Sequence, residues 1–276
     1  MNPKDLTERL EGIKLNKYSI PSDISPYEFI CGSLDTIGST DAKLRDELYY
    51  EVLARWIAMN VFSKDELKQI KDILISENYL FYNIDINDET SVYKRTFSIL
   101  LLAPIVYMHR ENKVFTKEEL YEIKNTIIKY ISLESNLEGY HKAYGWAHAA
   151  AHTSDTVDEL FQCEEFSEND LRELLYSLGG FIIKNSSVYT HAEDERMAYA
   201  VSSLSKRNDF SHQMLIDWIE DLFSKHQRDF SNIISVYRNI NIRMFFKSLY
   251  FYVKKANKNA LADLVEEKIN KLMRIE

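Results

Sequence analysis

The sequence predicts an all-α protein built as an α–α superhelix (a solenoid), and three observations carry that prediction. A short phrase recurs four times at intervals of 53, 51 and 44 residues. Each copy reads as the start of a helix. Each is preceded by a second helical run. The copies are Phe62-Ser63-Lys64-Asp65-Glu66-Leu67, Phe115-Thr116-Lys117-Glu118-Glu119-Leu120, Phe166-Ser167-Glu168-Asn169-Asp170-Leu171 and Phe210-Ser211-His212-Gln213-Met214-Leu215. Recurrence at this period marks stacked units, each burying its apolar face against its neighbours.

Within the phrase, Ser63, Thr116 and Ser167 are expected N-caps, because a hydroxyl can accept from a free amide of the first turn. Glu66 and Glu119, three residues on, complete a capping box, and the flanking Phe and Leu form a hydrophobic staple. Asp170 is shorter and is expected to close its box less well. Met214 cannot close one, so the fourth copy is the weakest.

A leading segment covers residues 1–30, with a short helix near 5–17 and a boundary at Pro21 and Pro26. The first helices of successive pairs are expected at Leu44–Met59, Val92–Met108, Gly145–Leu160 and Glu193–Ser205. The phrase opens each second helix. A fifth pair, Ile242–Lys255 and Asn259–Met273, completes repeats near 40–80, 90–133, 143–186, 190–226 and 240–274. Units of this length are similar to HEAT and armadillo repeats. The 276 residues are thus read as one domain, with Asn83–Thr90 as a polar connector.

Composition agrees. Seven Gly and four Pro, with no Pro after Pro104, leave few strand-and-turn signals. No apolar run is long enough for a membrane span, and the first residues lack an apolar signal core, so a cytoplasmic location is expected. Cys31 and Cys163 form no metal or redox spacing and are read as reduced thiols. The net charge of −9 argues against nucleic acid as a partner. The cluster Lys247, Lys254, Lys255 and Lys258 reads as a solvated helix face.

One segment looks chemical: Gly145-Trp146-Ala147-His148-Ala149-Ala150-Ala151-His152-Thr153-Ser154-Asp155. On a continuous helix, His148, His152, Asp155 and Glu159 fall within about 60° of arc. Histidines at i and i+4 can hold a divalent metal, with Asp155 as third ligand or as an orienting group. Residues 149–151 are all Ala, so the Glu found between the histidines of helical zinc proteases has no counterpart. Two other readings are a metal-free polar pocket, and imidazoles bonded internally to neighbouring helices. His191, Glu193, Asp194 and Glu195 of the next unit would stand nearby, although Thr190 and Glu193 also fit a capping box.

Arginines recur on the first helices at Arg45, Arg95, Arg196 and Arg243. The plainer reading pairs them with Asp46, Asp194 or Glu195; the sharper one has them bind an anionic group bidentately. The aromatics Tyr49, Tyr50, Trp56, Tyr93, Phe97, Tyr144 and Trp146 also fall on these helices, most of them as core.

Leu44-Arg45-Asp46 through Leu53-Ala54-Arg55-Trp56, Val92-Tyr93-Lys94-Arg95-Thr96-Phe97-Ser98, and Gly145-Trp146-Ala147-His148 with Ala151-His152 and Asp155 together make a pattern. In this the chain resembles the bacterial all-helical family known as domain of unknown function 2785, over roughly residues 20–220. The resemblance implies a cytoplasmic helical-repeat protein and singles out Arg45, Asp46, Arg95, Ser98, Trp146, His148, His152 and Asp155. It supplies no activity. The chain departs from the pattern at Glu138-Gly139-Tyr140, where an Arg is expected before Gly-Tyr, which weakens any anion-binding role there.

The expectation is therefore a binding or scaffold module. Its concave face holds a polar pocket around His148 and His152, with Arg45, Arg95, Trp146 and Asp155 as further ligand contacts. The partner would be a protein, a peptide or a small anionic ligand. The alternative is a metal-dependent hydrolase using His148, His152 and Asp155, and a divalent metal is the one cofactor considered.

Overall fold

The computed structural model describes residues 2–86, 88–184, 187–226, 229 and 231–273. The expected repeat end at 186, residue 87 of the connector and residues 274–276 lie outside them. The described residues form twelve α-helices. These are α1 (Pro3–Leu15), α2 (Pro26–Cys31), α3 (Glu51–Ala58), α4 (Lys64–Leu74), α5 (Ser91–Asn112), α6 (Lys117–Leu133), α7 (Ala149–Phe161), α8 (Glu168–Lys184), α9 (Glu193–Ser205), α10 (His212–Ser224), α11 (Ile233–Lys255) and α12 (Asn259–Met273). No described helix is long and apolar enough to cross a membrane.

The recurring phrase starts helices as its chemistry requires. The Ser63 amide donates to Glu66 Oε2 at 2.8 Å, and the Glu66 amide returns a bond to Ser63 Oγ at 3.3 Å. Thr116 and Glu119 repeat this at 2.7 and 3.3 Å. Asp170, despite its length, closes the same box with Ser167 at 3.0 and 3.4 Å. Ser211 caps α10 alone, accepting from the Gln213 amide.

Three local features depart from the sequence expectation. Lys43–Tyr50, immediately before α3, is a π-helix, a form that is rare and concentrates near functional sites. The helix expected from Gly145 begins only at Ala149. Ahead of it, Tyr140–His141 (β1) pairs antiparallel with Gly145–Trp146 (β2) in a short hairpin. Gly145 has φ +79° there, and a Cβ would come within 2.7 Å of the Ala42 Cβ. Finally, α11 starts at Ile233 rather than Ile242, because the Asn232 side chain accepts from the Ile234 amide and caps it early.

Two rows of contacts organise the helices. In one, α3 meets α5, α5 meets α7, α7 meets α9 and α9 meets α11. In the other, α6 meets α8, α8 meets α10 and α10 meets α12. Small buried residues at Ala149, Ala150 and Ala151 let α7 sit close between its neighbours. The Thr156 hydroxyl reaches across to the Ile99 carbonyl at 2.6 Å. Lysines tie the second row, Lys124 to Asp170 and Glu173 and Lys268 to Glu220, and Lys71 of α4 joins it through Glu122 of α6.

Candidate functional site

The first row carries an open cavity of about 370 Å³, lined by Asp46, Tyr50, Phe97, Leu100, Trp146, His148, His152, Asp155 and Arg196. Four of the expected residues, Trp146, His148, His152 and Asp155, therefore meet in one place. The π-helical turn adds Asp46 and Tyr50, and α9 adds Arg196.

His148 is not part of α7. It precedes the helix in the left-handed conformation, with φ +52°, a conformation that costs a side-chain-bearing residue energy and is often found at binding sites. Its ring lies 4.5 Å from the Trp146 ring and 5.7 Å from that of His152, almost perpendicular to the latter. Its Nε2 is buried without a hydrogen-bond partner, 3.7 Å from Glu193 Oε1. His152 is buried against Phe97, ring centroids 5.1 Å apart, and its Nδ1 also lacks a partner. Burial, with Arg196 and His191 nearby, pushes His148 down to about 4. Burial, and then His148, drives His152 well below the usual imidazole range. Both rings are neutral at pH 7.

The carboxyls move the other way. Burial raises Asp155 to about 7, although Arg196 Nη1 stands 3.0 Å away and opposes the rise. Burial likewise raises Asp46 to about 6 against the pull of Arg45. At neutral pH Asp155 is thus poised to donate or accept a proton.

Arg45 and Arg95 do not line this cavity. Arg45 is fully buried between the Tyr93 and Phe97 rings. It donates to Asp46 at 2.6 Å, to the Ser39 carbonyl and to the Tyr144 carbonyl at 2.8 Å. Its guanidinium is spent holding the hairpin that presents Trp146. Arg95 grips Glu134 bidentately at 2.7 and 2.9 Å and donates also to Ser91 and the Tyr82 carbonyl. Tyr130 and the Asn136 amide complete the Glu134 shell. The two arginines look alike in sequence, yet both are internally saturated and neither is free to bind an anion. Arg196 pairs with Asp155, and Arg243 lines neither this cavity nor the next. The expected Thr190–Glu193 box is also absent: Ala192, left-handed at φ +65°, precedes α9, and Glu193 accepts from the His191 amide instead.

The donor atoms of His148, His152 and Asp155 are not gathered for a metal. The i,i+4 geometry needs both histidines on one helix, and His148 stands outside it. Among the described residues, one set of three such atoms lies within 4.8 Å: His109, Cys163 and Glu165. Its hydrogen bonds argue against a metal there too. His109 Nδ1 accepts from the Phe115 amide at 3.0 Å, so the neutral ring carries its proton on Nε2 and donates to Glu165. Burial also pushes the Cys163 thiol up to about 12.

A second cavity, of about 540 Å³, adjoins the first and shares Asp155 and Arg196 with it. Asp155, Glu159 and Arg196 stand out in the sequence, but the rest of its lining comes from α5, α7, α9 and α11 at unrelated spacings.

Comparison with curated proteins and with solved structures gives no match. The model of the family described as Protein of unknown function (DUF2785) matches residues 80–251, more than half of the chain and all of α5 to α10. By that match the chain belongs to the DUF2785 family.

Proposed function

We propose that this protein is a binding module: an α–α superhelix of five helix pairs whose first-helix groove receives a peptide segment of a partner protein. The observation that carries the reading is the convergence of Trp146, His148, His152 and Asp155 on one cavity. There, two neutral imidazoles keep buried nitrogens unpartnered and one residue is held in a costly backbone conformation. Buried polar atoms are normally satisfied, and exceptions ask for a reason. Trp146, 41 % exposed, offers an aromatic surface at the mouth. The single guanidinium of the cavity, Arg196, is already paired, so a small anion finds less here than a peptide whose amides and carbonyls can meet neutral donors and acceptors.

An array of hexapeptides with each position scanned through all residue types tests this. The reading expects position-specific preferences that vanish in Trp146→Ala and in Asp155→Asn while the melting temperature holds. A uniform array, or preferences that survive both substitutions, overturns it. The Asp155 carboxyl, titrating near neutrality, favours a second reading as an acid–base enzyme. Turnover of a peptide on the array, lost in Asp155→Asn, would select it.

A further inference from the structure

The second cavity is lined by Ala103, Pro104, Tyr107, Asp155, Asp158, Glu159, Arg196, Tyr199 and Tyr252. Its charges are almost all spoken for. Asp155 is paired with Arg196, and Glu159 with Arg110. Asp158 is the exception. It is 8 % exposed; Gln162 reaches its Oδ2 at 3.2 Å, but Oδ1 is buried with no hydrogen-bond partner. Burial raises the Asp158 carboxyl above its usual range, and the Ser203 hydroxyl, Arg110 and Lys206 only partly oppose the rise. Arg110 is engaged by Glu159, and Lys206 is exposed beside Tyr199. Three carboxyl groups thus have two engaged guanidiniums between them, and Lys206 is the one further cation nearby.

The walls suit a cation. Tyr199 and Tyr252 pack edge to face, 5.5 Å apart, and Tyr107 and Tyr199 are 40 % and 46 % exposed. Aromatic walls attract ammonium and guanidinium groups, and a carboxylate at the base supplies the charge. What the cavity lacks is therefore donors: an acceptor oxygen is unpartnered, and both guanidiniums are taken.

We infer that this cavity is a subsite for an organic cation, the lysine or arginine side chain of a bound peptide, with Asp158 Oδ1 accepting its N–H and the tyrosines flanking its stem. The inference rests on the peptide-binding reading and names the chemistry of one residue of that peptide.

Calorimetric titration of the full chain with Nα-acetyl-arginine amide, Nα-acetyl-lysine amide and the neutral isostere Nα-acetyl-citrulline amide tests it. The cationic amides should bind about tenfold or more tighter than the citrulline amide. That preference should vanish in Asp158→Asn and weaken in Tyr199→Ala, whose exposed ring can be removed without disturbing the fold. Equal binding of arginine and citrulline amides, or an undiminished preference in both variants, overturns the inference. Trp146 emission separates the two readings. Trp56 and Trp218 are buried, so a peptide that shifts emission while cationic amides fail to bind leaves the groove standing and removes only the subsite.

Discussion

In the second-helix row, Lys71 reaches Glu122 and Lys124 reaches Asp170 and Glu173. In the first-helix row and its hairpin, Tyr93, His148, His152 and Asp158 each bury a polar atom with no partner, four of the six such atoms among the described residues. The same chain therefore satisfies one face and leaves the other unsatisfied. The contrast separates polar groups that hold the fold from polar groups that await something, a distinction residue type alone does not make. Lys124 is more buried than Asp158, yet it has two carboxylates, whereas Asp158 has no opposite charge within bonding reach.

Glu134→Ala should cost about 3–5 kcal/mol in urea unfolding, because it strands the buried Arg95 guanidinium. If Arg95 instead served a ligand, the loss would be small and binding would suffer.

A second test uses pH. Asp155, raised from 3.8 to about 7, holds its proton more tightly in the folded state. Its contribution to stability is full below pH 3.8 and is lost as pH rises through about 7. His148, lowered from 6.5 to about 4, does the reverse, stabilising above 6.5 and losing that as pH falls through about 4. The two oppose each other in the native protein. Acidification from pH 7 to 4 should therefore destabilise Asp155→Asn more than the parent, and His148→Gln less, each by on the order of 1–3 kcal/mol. Parallel profiles for all three proteins would contradict the burial of these groups.

Smaller effects sharpen the other side. Thr116→Ala should cost about 1 kcal/mol, since it opens a complete capping box. Ser211→Ala, which removes a lone cap, should cost less. Equal losses would mean that the hydroxyl of a complete box caps no better than a lone one.

Local chemistry was the legible part. The capping boxes at Ser63 and Thr116 were readable because their partners stand three residues apart. Trp146, His148, His152 and Asp155 were readable as a cluster because they are close in the chain. The hairpin was not, since two-residue strands leave no alternation to read and the run of alanines after His148 extends a helical pattern back over it. The roles of Arg45 and Arg95 were hidden because their partners, the Tyr144 carbonyl and Glu134, lie far along the chain. The second cavity was invisible for the same reason. Only packing brings Tyr107, Asp158, Tyr199 and Tyr252 together.

The central claim is that His148 is kept for a ligand and not for the fold, and urea unfolding of His148→Gly addresses it most directly. Glycine adopts φ +52° without strain, and this offsets the lost ring contacts. The variant should unfold within about 1 kcal/mol of the parent. A loss of about 3 kcal/mol or more would show that the imidazole is a structural member and would contradict the account.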